Sequence, residues 1–283
     1  MRTVPQLIRS TRPTKRSTLD AIVIALVCLV VATALLGPLL APESVFRSNV
    51  LEALQPPSAA HWFGTDDQGR DVLWRLVAGA RETLLAAMLV VVSYSAIGCL
   101  VAVLATVGGR WLDEVLMRVT DIALALPGMV VALGFAAAMG PSLKSAIIAM
   151  ILAGWPMTAR LLRGVMHETM AMPFVAGARV LGVSRTRLML RHVLPNSLDA
   201  LLVKWAGDIG FTVLLLAGLS FIGVGAQPPS AEWGAMISGA KGYIATAWWV
   251  ALAPGLAIAV TAASFGLLGD LLQVRRNPAL RKK

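Results

Sequence analysis

Five long stretches of this 283-residue chain contain no charged side chain, and they limit its possible folds more than any other feature. They are 22 to 28 residues long and cover residues 21–42, 83–109, 122–143, 209–231 and 242–269. About 20 apolar residues in a helix cross the hydrocarbon of a bilayer, because each residue advances the helix by about 1.5 Å. A sixth stretch, 145–159, becomes long enough when it continues to Leu162 and the Arg160 side chain extends to the interface. The sequence therefore predicts an all-α integral membrane protein with six transmembrane helices.

Segments of unequal length separate the predicted spans. We place the spans at residues 21–42, 83–107, 118–139, 144–162, 201–225 and 247–269. The first is read as a retained helix, because its apolar run is longer than the 7–15 residues of a signal-peptide core. The remaining regions are a basic tail at 1–20, an extracytoplasmic segment at 43–82, a cytoplasmic loop at 163–199 and a second basic tail at 272–283, so that 83–271 forms the core. No tail or loop outside the predicted spans is long enough to hold a globular enzyme domain.

The distribution of basic residues predicts the orientation. Lysine and arginine number 25 against 15 acidic residues, which gives a net charge of +10. With both termini in the cytoplasm, 19 of the 25 basic residues lie in cytoplasmic segments or at their edges, as the positive-inside rule requires. Topology and anionic lipid explain the charge, so we expect the lipid membrane as a partner and no nucleic acid.

The cytoplasmic loop has the sequence signals of two short helices joined at a glycine. Pro173 suits the first turn of a helix that continues to Leu181, and Gly182 suits the left-handed residue that ends it. Ser184 is a candidate N-cap for a second helix, which we expect Pro195 to end.

Small and basic side chains on this loop favour a contact with another molecule. The small residues that would let a partner approach the backbone are Ala176, Gly177 and Ala178. The basic residues that could form charged contacts around them are Arg179, Arg185, Arg187 and Arg191. The physical pattern alone leaves two interpretations open, a protein docking surface and an amphipathic loop lying on lipid headgroups.

The loop resembles the EAA loop of ABC importer permeases. The pattern of that loop has a glycine separated by three residues from the EAA triplet and ends in a hydrophobic segment with Leu-Pro. Gly182 matches that glycine, and Val193, Leu194 and Pro195 match the ending, whereas Ala176 stands where the family pattern has Glu. The resemblance implies that the loop docks on an ATP-hydrolysing subunit. The candidate coupling residues are then Ala176, Gly177, Ala178, Arg179, Gly182, Arg187 and Pro195.

Three further blocks, His61–Leu84, Leu219–Ile237 and Pro254–Arg281, are similar to the dipeptide/oligopeptide/nickel permeases, in particular their C-type subunit. One departure is Leu216, where such permeases often carry Glu. The resemblance implies a type I ABC importer permease in a bacterial inner membrane. Its partners would be a second homologous permease subunit, two ATP-binding subunits and an extracytoplasmic peptide-binding protein.

The same resemblance leaves the cargo open between peptides, which we favour, and nickel. ATP and Mg would be bound by the partner ATPase subunits, because this chain has no Walker A pattern, and no cofactor is expected here. A secondary transporter is the alternative from another class, but the sequence has no evident internal repeat and no midplane charges in both halves. No catalytic constellation or metal site is expected, so we predict that this chain is not itself an enzyme.

A few charged residues could have local roles. Asp208 lies within the fifth span with Lys204 one turn earlier, which predicts either an ion pair or a place on the translocation path. Asp121 is expected to pair with Arg118, and Pro127 to kink the third span.

An acidic group precedes the second span, and its spacing does not match a calcium loop. Turn-forming and capping roles are predicted for Asp66, Asp67 and Asp71, and His61 is expected to be an ordinary surface residue. By the resemblance, this segment helps to receive the binding protein.

Overall fold

The computed structural model describes residues 15–276, so residues 1–14 and 277–283 of the two predicted basic tails lie outside this range. Within it the regular structure is helical, apart from one isolated bridge between Thr65 and Asp71. The helices are α1 (Lys15–Leu40), α2 (Val72–Val107), α3 (Gly109–Ala125), α4 (Gly128–Met139), α5 (Leu143–Met170), α6 (Pro173–Val180), α7 (Arg185–Leu188), α8 (Leu194–Ile222), α9 (Trp233–Gly239) and α10 (Trp249–Arg276). A π-helical turn, Met189–Val193, joins α7 to α8 without a break.

The described helices confirm an all-α membrane protein. Five continuous helices are long and apolar enough to cross a bilayer, namely Thr18–Leu40, Val72–Val107, Leu143–Met170, Arg185–Ile222 and Trp249–Arg275. The sixth candidate span is the pair α3 and α4, which meet at an angle of 83°. The predicted third span, 118–139, is therefore two helices: Leu126 has an extended backbone and Pro127, which carries no N–H, precedes α4.

The second helix begins at Val72, well before the predicted start of the span at residue 83. Asp71 caps it, since its Oδ1 accepts a hydrogen bond from the Trp74 backbone N–H at 3.0 Å. The predicted span began after Glu82 because that residue is charged. Two of the charged side chains near the start of the helix, however, form hydrogen bonds with the segment that contains Ser230. Arg75 donates to the Ser230 carbonyl at 2.9 Å, and Glu82 accepts from the Ser230 hydroxyl at 2.9 Å.

The helix bundle is centred on α2, which packs along α5 and also contacts α1 and α8. Gly98 allows the close approach to α5, because a Cβ atom there would lie 2.8 Å from the Trp155 carbonyl oxygen. Helix α1 lies at the periphery of the bundle, because only 17% of its apolar membrane-crossing segment is buried against the other helices. Its beginning lies beside the end of α10, where Asp20 and Arg275 approach to 3.5 Å. The two ends of the described chain are therefore on the same side of the bundle, as an even number of spans requires.

The two outer segments, 41–71 and 223–248, are tied to each other and to the helix ends. Trp233 Nε1 donates to the Leu76 carbonyl at 2.9 Å, and Trp249 Nε1 donates to the Thr65 carbonyl at 3.2 Å. Glu232 caps α9 by accepting from the backbone N–H groups of Gly234 and Ala235, each at 2.9 Å. Burial raises the pKa of Glu232, and these two hydrogen bonds oppose that rise.

The acidic residues before α2 have the predicted turn and capping roles, but His61 differs from its prediction. Asp66 accepts from the Gln68 and Arg70 backbone N–H groups and from Arg70 Nε at 2.7 Å. His61 is not an ordinary surface residue, because its side chain is only 20% exposed and Nδ1 lies 2.9 Å from Asp71 Oδ2. The turn and capping roles of the aspartates could be predicted because they depend on neighbouring residues. The burial of His61 depends on the tertiary fold, so no local sequence pattern indicates it.

Candidate functional site

The loop between α5 and α8 has the geometry that its sequence predicts in its first half. Pro173 lies in the first turn of α6, and Gly182 has φ +78°, in the left-handed region. Ser184 caps α7, since its side chain accepts from the Arg187 backbone N–H at 3.4 Å. We refer to residues 173–195 as the coupling loop.

The prediction that Pro195 ends the second helix is wrong. Pro195 lies in the first turn of α8, and the helix continues from Arg185 to Ile222. The wider turn before it accommodates the proline: the backbone N–H of Leu194 bonds to the Met189 carbonyl five residues back.

The coupling loop has a buried side and an exposed side. Val175, Leu188 and Met189 are at most 1% exposed and pack in a hydrophobic cluster with the ends of α2 and α5 that lie nearest the loop. The candidate coupling residues that lie exposed are Ala176, Gly177, Arg179, Gly182, Arg187 and Pro195, and Ala178 is half-buried against the cluster. The buried side fixes the loop to the spans, so a force on its exposed side would be transmitted to α5 and α8.

Val180 and Leu181 are exposed apolar residues that the sequence analysis did not single out. They are 88% and 85% exposed, among the highest values of any large apolar side chain in the described chain. Five helical residues turn the chain by about 140° beyond a full revolution, so the register that buries Val175 directs Val180 outward. A pair of large apolar residues directly before the turn glycine was the signal that could have identified them.

The arginines of the loop have different roles. Arg185 donates from Nη2 to the Thr106 carbonyl at the end of α2, at 2.6 Å, so it joins the loop to the bundle instead of facing a partner. Arg179 and Arg187 form no ion pair with any carboxylate in residues 18–275 whose side chains are described. These two guanidinium groups are available to a partner's carboxylates.

Ion pairs connect α3 to α5 just before the coupling loop. Arg163 forms a two-point contact with Asp113, with Nε–Oδ1 at 2.5 Å and Nη2–Oδ2 at 2.6 Å. The sequence predicted that Asp121 pairs with Arg118, but Asp121 contacts Arg160 of α5 instead. Arg118 instead lies 3.9 Å from Glu114. Both cross-helix pairs fix the bent α3 to the helix that leads into the loop.

A cavity of about 400 Å³ lies deeper in the bundle, between α2, α4, α5 and α8. Its polar residues are Tyr94, Lys204, Asp208 and Thr212, and its walls include methionines from α4 and α5. Lys204 Nζ and the Tyr94 hydroxyl both contact Asp208 Oδ2. The ion pair predicted for Asp208 is therefore present, and the same carboxylate faces a half-open cavity whose rim includes the exposed side chains of Met157 and Phe211.

Residues 69–282 match the family described as the binding-protein-dependent transport system inner membrane component. The chain belongs to this family. Together with its membrane-spanning helices, this makes it a multi-pass inner-membrane component of a transport system that works with a binding protein.

Several curated relatives match over most of this chain. The probable D,D-dipeptide transport system permease protein DdpC of Escherichia coli (strain K12) is 40% identical, covering 92% of this chain and 86% of the relative. The dipeptide transport system permease protein DppC of Alkalihalophilus pseudofirmus is 35% identical, covering 94% and 88%. The glutathione transport system permease protein GsiD of Pectobacterium atrosepticum is also 35% identical, covering 90% and 85%.

A solved structure supports the architecture. The inward-facing MetNI methionine ABC transporter has a chain that is similar with a TM-score of 0.59 at 18% identity, covering 72% of this chain and 98% of that chain. At this identity the likeness shows the fold alone, which is that of a chain of this ABC transporter. The residues at the coupling loop and the cavity are assigned from their own geometry.

Proposed function

We propose that this chain is one of two homologous permease subunits of an ATP-driven importer for dipeptides or oligopeptides. Its family membership and the peptide transport systems named for its relatives support the cargo class. The observation that carries the coupling role is the two-sided loop, which is fixed to the spans underneath and presents Val180 and Leu181 outward, beside arginines that are not paired with a described carboxylate.

In this proposal two partner subunits bind ATP and Mg and hydrolyse the nucleotide, and each contacts a permease through its loop. The exposed apolar pair enters a groove of the ATPase, and Arg179 and Arg187 meet carboxylates at its rim. A loop that binds closed and open ATPases with different affinity shifts the permease between two conformations by that difference. The outer segments receive a binding protein that delivers the peptide.

The proposal is tested with the assembled transporter. We would co-express this chain with its partner permease, ATPase and binding-protein subunits, and reconstitute the purified complex in proteoliposomes. ATP hydrolysis and uptake of radiolabelled L-alanyl-L-phenylalanine would be measured with and without the binding protein. Stimulation of both by the loaded binding protein is the expected result.

The double variant Val180→Ser/Leu181→Ser removes the apolar pair from the loop and should abolish co-purification of the ATPase subunit that docks on this chain, while the other ATPase keeps its contact with the partner permease. Leu51→Ser is the matched control, because Leu51 is 95% exposed but lies in the outer segment. It should leave the amount of bound ATPase unchanged. A loop variant that retains its ATPase, or a complete complex that transports no peptide, would contradict the proposal.

A further inference from the structure

The polar cluster in the membrane cavity is unusual for its position. Lys204 and Asp208 have side chains that are 17% and 21% exposed, within a wall that is otherwise largely apolar. Charged groups within a membrane-spanning helix are costly and mark functional positions more often than structural ones. A buried ion pair is also no better for stability, as a rule, than apolar side chains of similar volume. Folding therefore gives no reason for this pair.

The hydrogen bonds leave part of the carboxylate unused. The Tyr94 hydroxyl and the Lys204 ammonium both bond to Oδ2 of Asp208, and neither bonds to Oδ1. Oδ1 can therefore accept from a further donor inside the cavity. A carboxylate prefers a charged donor, since such hydrogen bonds are roughly twice as strong as neutral ones.

Lys204 has an alternative partner within reach. Its Nζ lies 5.2 Å from the centroid of the Tyr94 ring, a distance at which a cation is attracted to the ring face. The lysine ammonium could therefore move toward the ring when another ammonium binds Asp208. In chemical terms Lys204 is a tethered alkylammonium that already occupies the place of such a ligand.

We propose that this cavity is a transit subsite for the ammonium end of a peptide, with Asp208 as the acceptor and Lys204 as an internal competitor. This inference rests on the proposed function and names the group of the cargo that the cavity binds. Competition by the tethered lysine lowers the apparent affinity, so the peptide binds weakly enough to leave. Return of Lys204 to Asp208 neutralises the carboxylate after each passage.

The walls fit the remainder of such a ligand. Met129, Met150 and Met157 line the cavity from two helices, with Phe211 from a third. Methionine side chains are flexible and polarisable, so they adapt to apolar groups of different shapes. A subsite with one fixed polar contact and adaptable walls would accept peptides that differ in their first side chain.

The test measures equilibrium binding of radiolabelled L-alanyl-L-phenylalanine to the purified complex without the binding protein. Asp208→Asn should weaken binding by at least about tenfold, because it removes a hydrogen bond between charged groups. Lys204→Met should strengthen binding, because it removes the competitor. The N-acetylated peptide, which has no ammonium group, should not compete for the site in Lys204→Met.

A purely structural ion pair predicts another pattern. The two single variants would then lose binding or transport together, and the double variant Lys204→Met/Asp208→Leu would restore both. Either that pattern or equal binding of the N-acetylated peptide would overturn the inference. We expect instead that the double variant folds, keeps its ATPase subunits and transports less peptide per ATP hydrolysed. The proposed function fails separately, if the wild-type complex transports no peptide at all.

Discussion

At the turn between α6 and α7, one backbone dihedral angle decides where the coupling loop goes next. Gly182 has φ +78°, and its N–H bonds to the Arg179 carbonyl at 2.9 Å. A Cβ atom placed there would meet no other atom within 4 Å, so glycine is needed for its conformation and not for space. The sequence predicted this residue correctly because the requirement is local. Val180 and Leu181 were missed because their exposure depends on which side of α6 faces the bundle.

Replacing Gly182 with Ala should destabilise the loop by about 1 kcal/mol, the usual cost of a left-handed conformation for a residue with a Cβ atom. Because the side chains of the loop remain, the complex should assemble but hydrolyse ATP less in response to the loaded binding protein. Gly164→Ala is the control, since Gly164 is helical and its added Cβ also meets nothing. It should leave stimulated ATP hydrolysis unchanged, and equal losses in both variants would refute the conformational argument.

At the scale of helices, the contact between α3 and α5 shows how exposure decides the value of an ion pair. Arg163 and Asp113 are 33% and 19% exposed and make two parallel hydrogen bonds, whereas Arg118 and Glu114 are 77% and 62% exposed and lie 3.9 Å apart. Solvent screens the second pair and leaves it with little net energy. The Arg163–Asp113 pair also connects α5 to α3, whereas Arg118 and Glu114 lie on the same helix.

Arg163→Lys should lower the unfolding free energy of the purified complex by about 1 kcal/mol, because lysine cannot form the two-point contact with Asp113. Arg118→Lys, on the outer face of the same helix pair, is expected to change it by less than about 0.5 kcal/mol. Thermal unfolding in detergent would compare the two variants. If both lower the midpoint equally, the cross-helix contact has no special role.

The helices also show which features of the fold can be inferred from a single sequence. Five continuous spans followed from uncharged runs, because lipid excludes charge over a fixed thickness, whereas the predicted third span is a bent pair of helices. The start of α2 could not be predicted from charge. Arg75 and Glu82 lie within the helix because both form hydrogen bonds with Ser230, which is distant in sequence. The π-helical turn at Met189–Val193 was missed because Pro195 was interpreted as the end of a helix and not as part of a first turn. The partner of Asp121 depended on helix packing.

At the scale of the whole molecule, three regions lie in series. The outer segments, the cavity around Asp208 and the coupling loop are connected by α2, α5 and α8. Asp20 and Arg275 bring the described ends of the chain together on one side. The distribution of basic residues places that side in the cytoplasm, together with the coupling loop. This orientation is a prediction that labelling can test.

Single cysteines in a variant with Cys28 and Cys99 replaced by Ala would report the orientation. A membrane-impermeant maleimide should label Leu51→Cys in spheroplasts, because Leu51 is 95% exposed in the outer segment. Leu181 is 85% exposed, so the cysteine of Leu181→Cys should react with the maleimide only after the membrane is opened. The cysteine-free parent controls for background labelling. The reverse pattern would show that the protein has the opposite orientation.

The break between α3 and α4 has a consequence for how the chain is made. Helix α4 has 12 residues and is about 18 Å long, so it is too short to cross the hydrocarbon by itself. The extended backbone at Leu126 also interrupts the helical hydrogen bonding, although the Pro127 carbonyl accepts from the backbone N–H groups of Val130 and Val131. During synthesis α4 leaves the ribosome before α5, the helix on which it packs most. Stable insertion of α4 therefore depends on the arrival of α5, so the two helices should enter the bilayer as one unit.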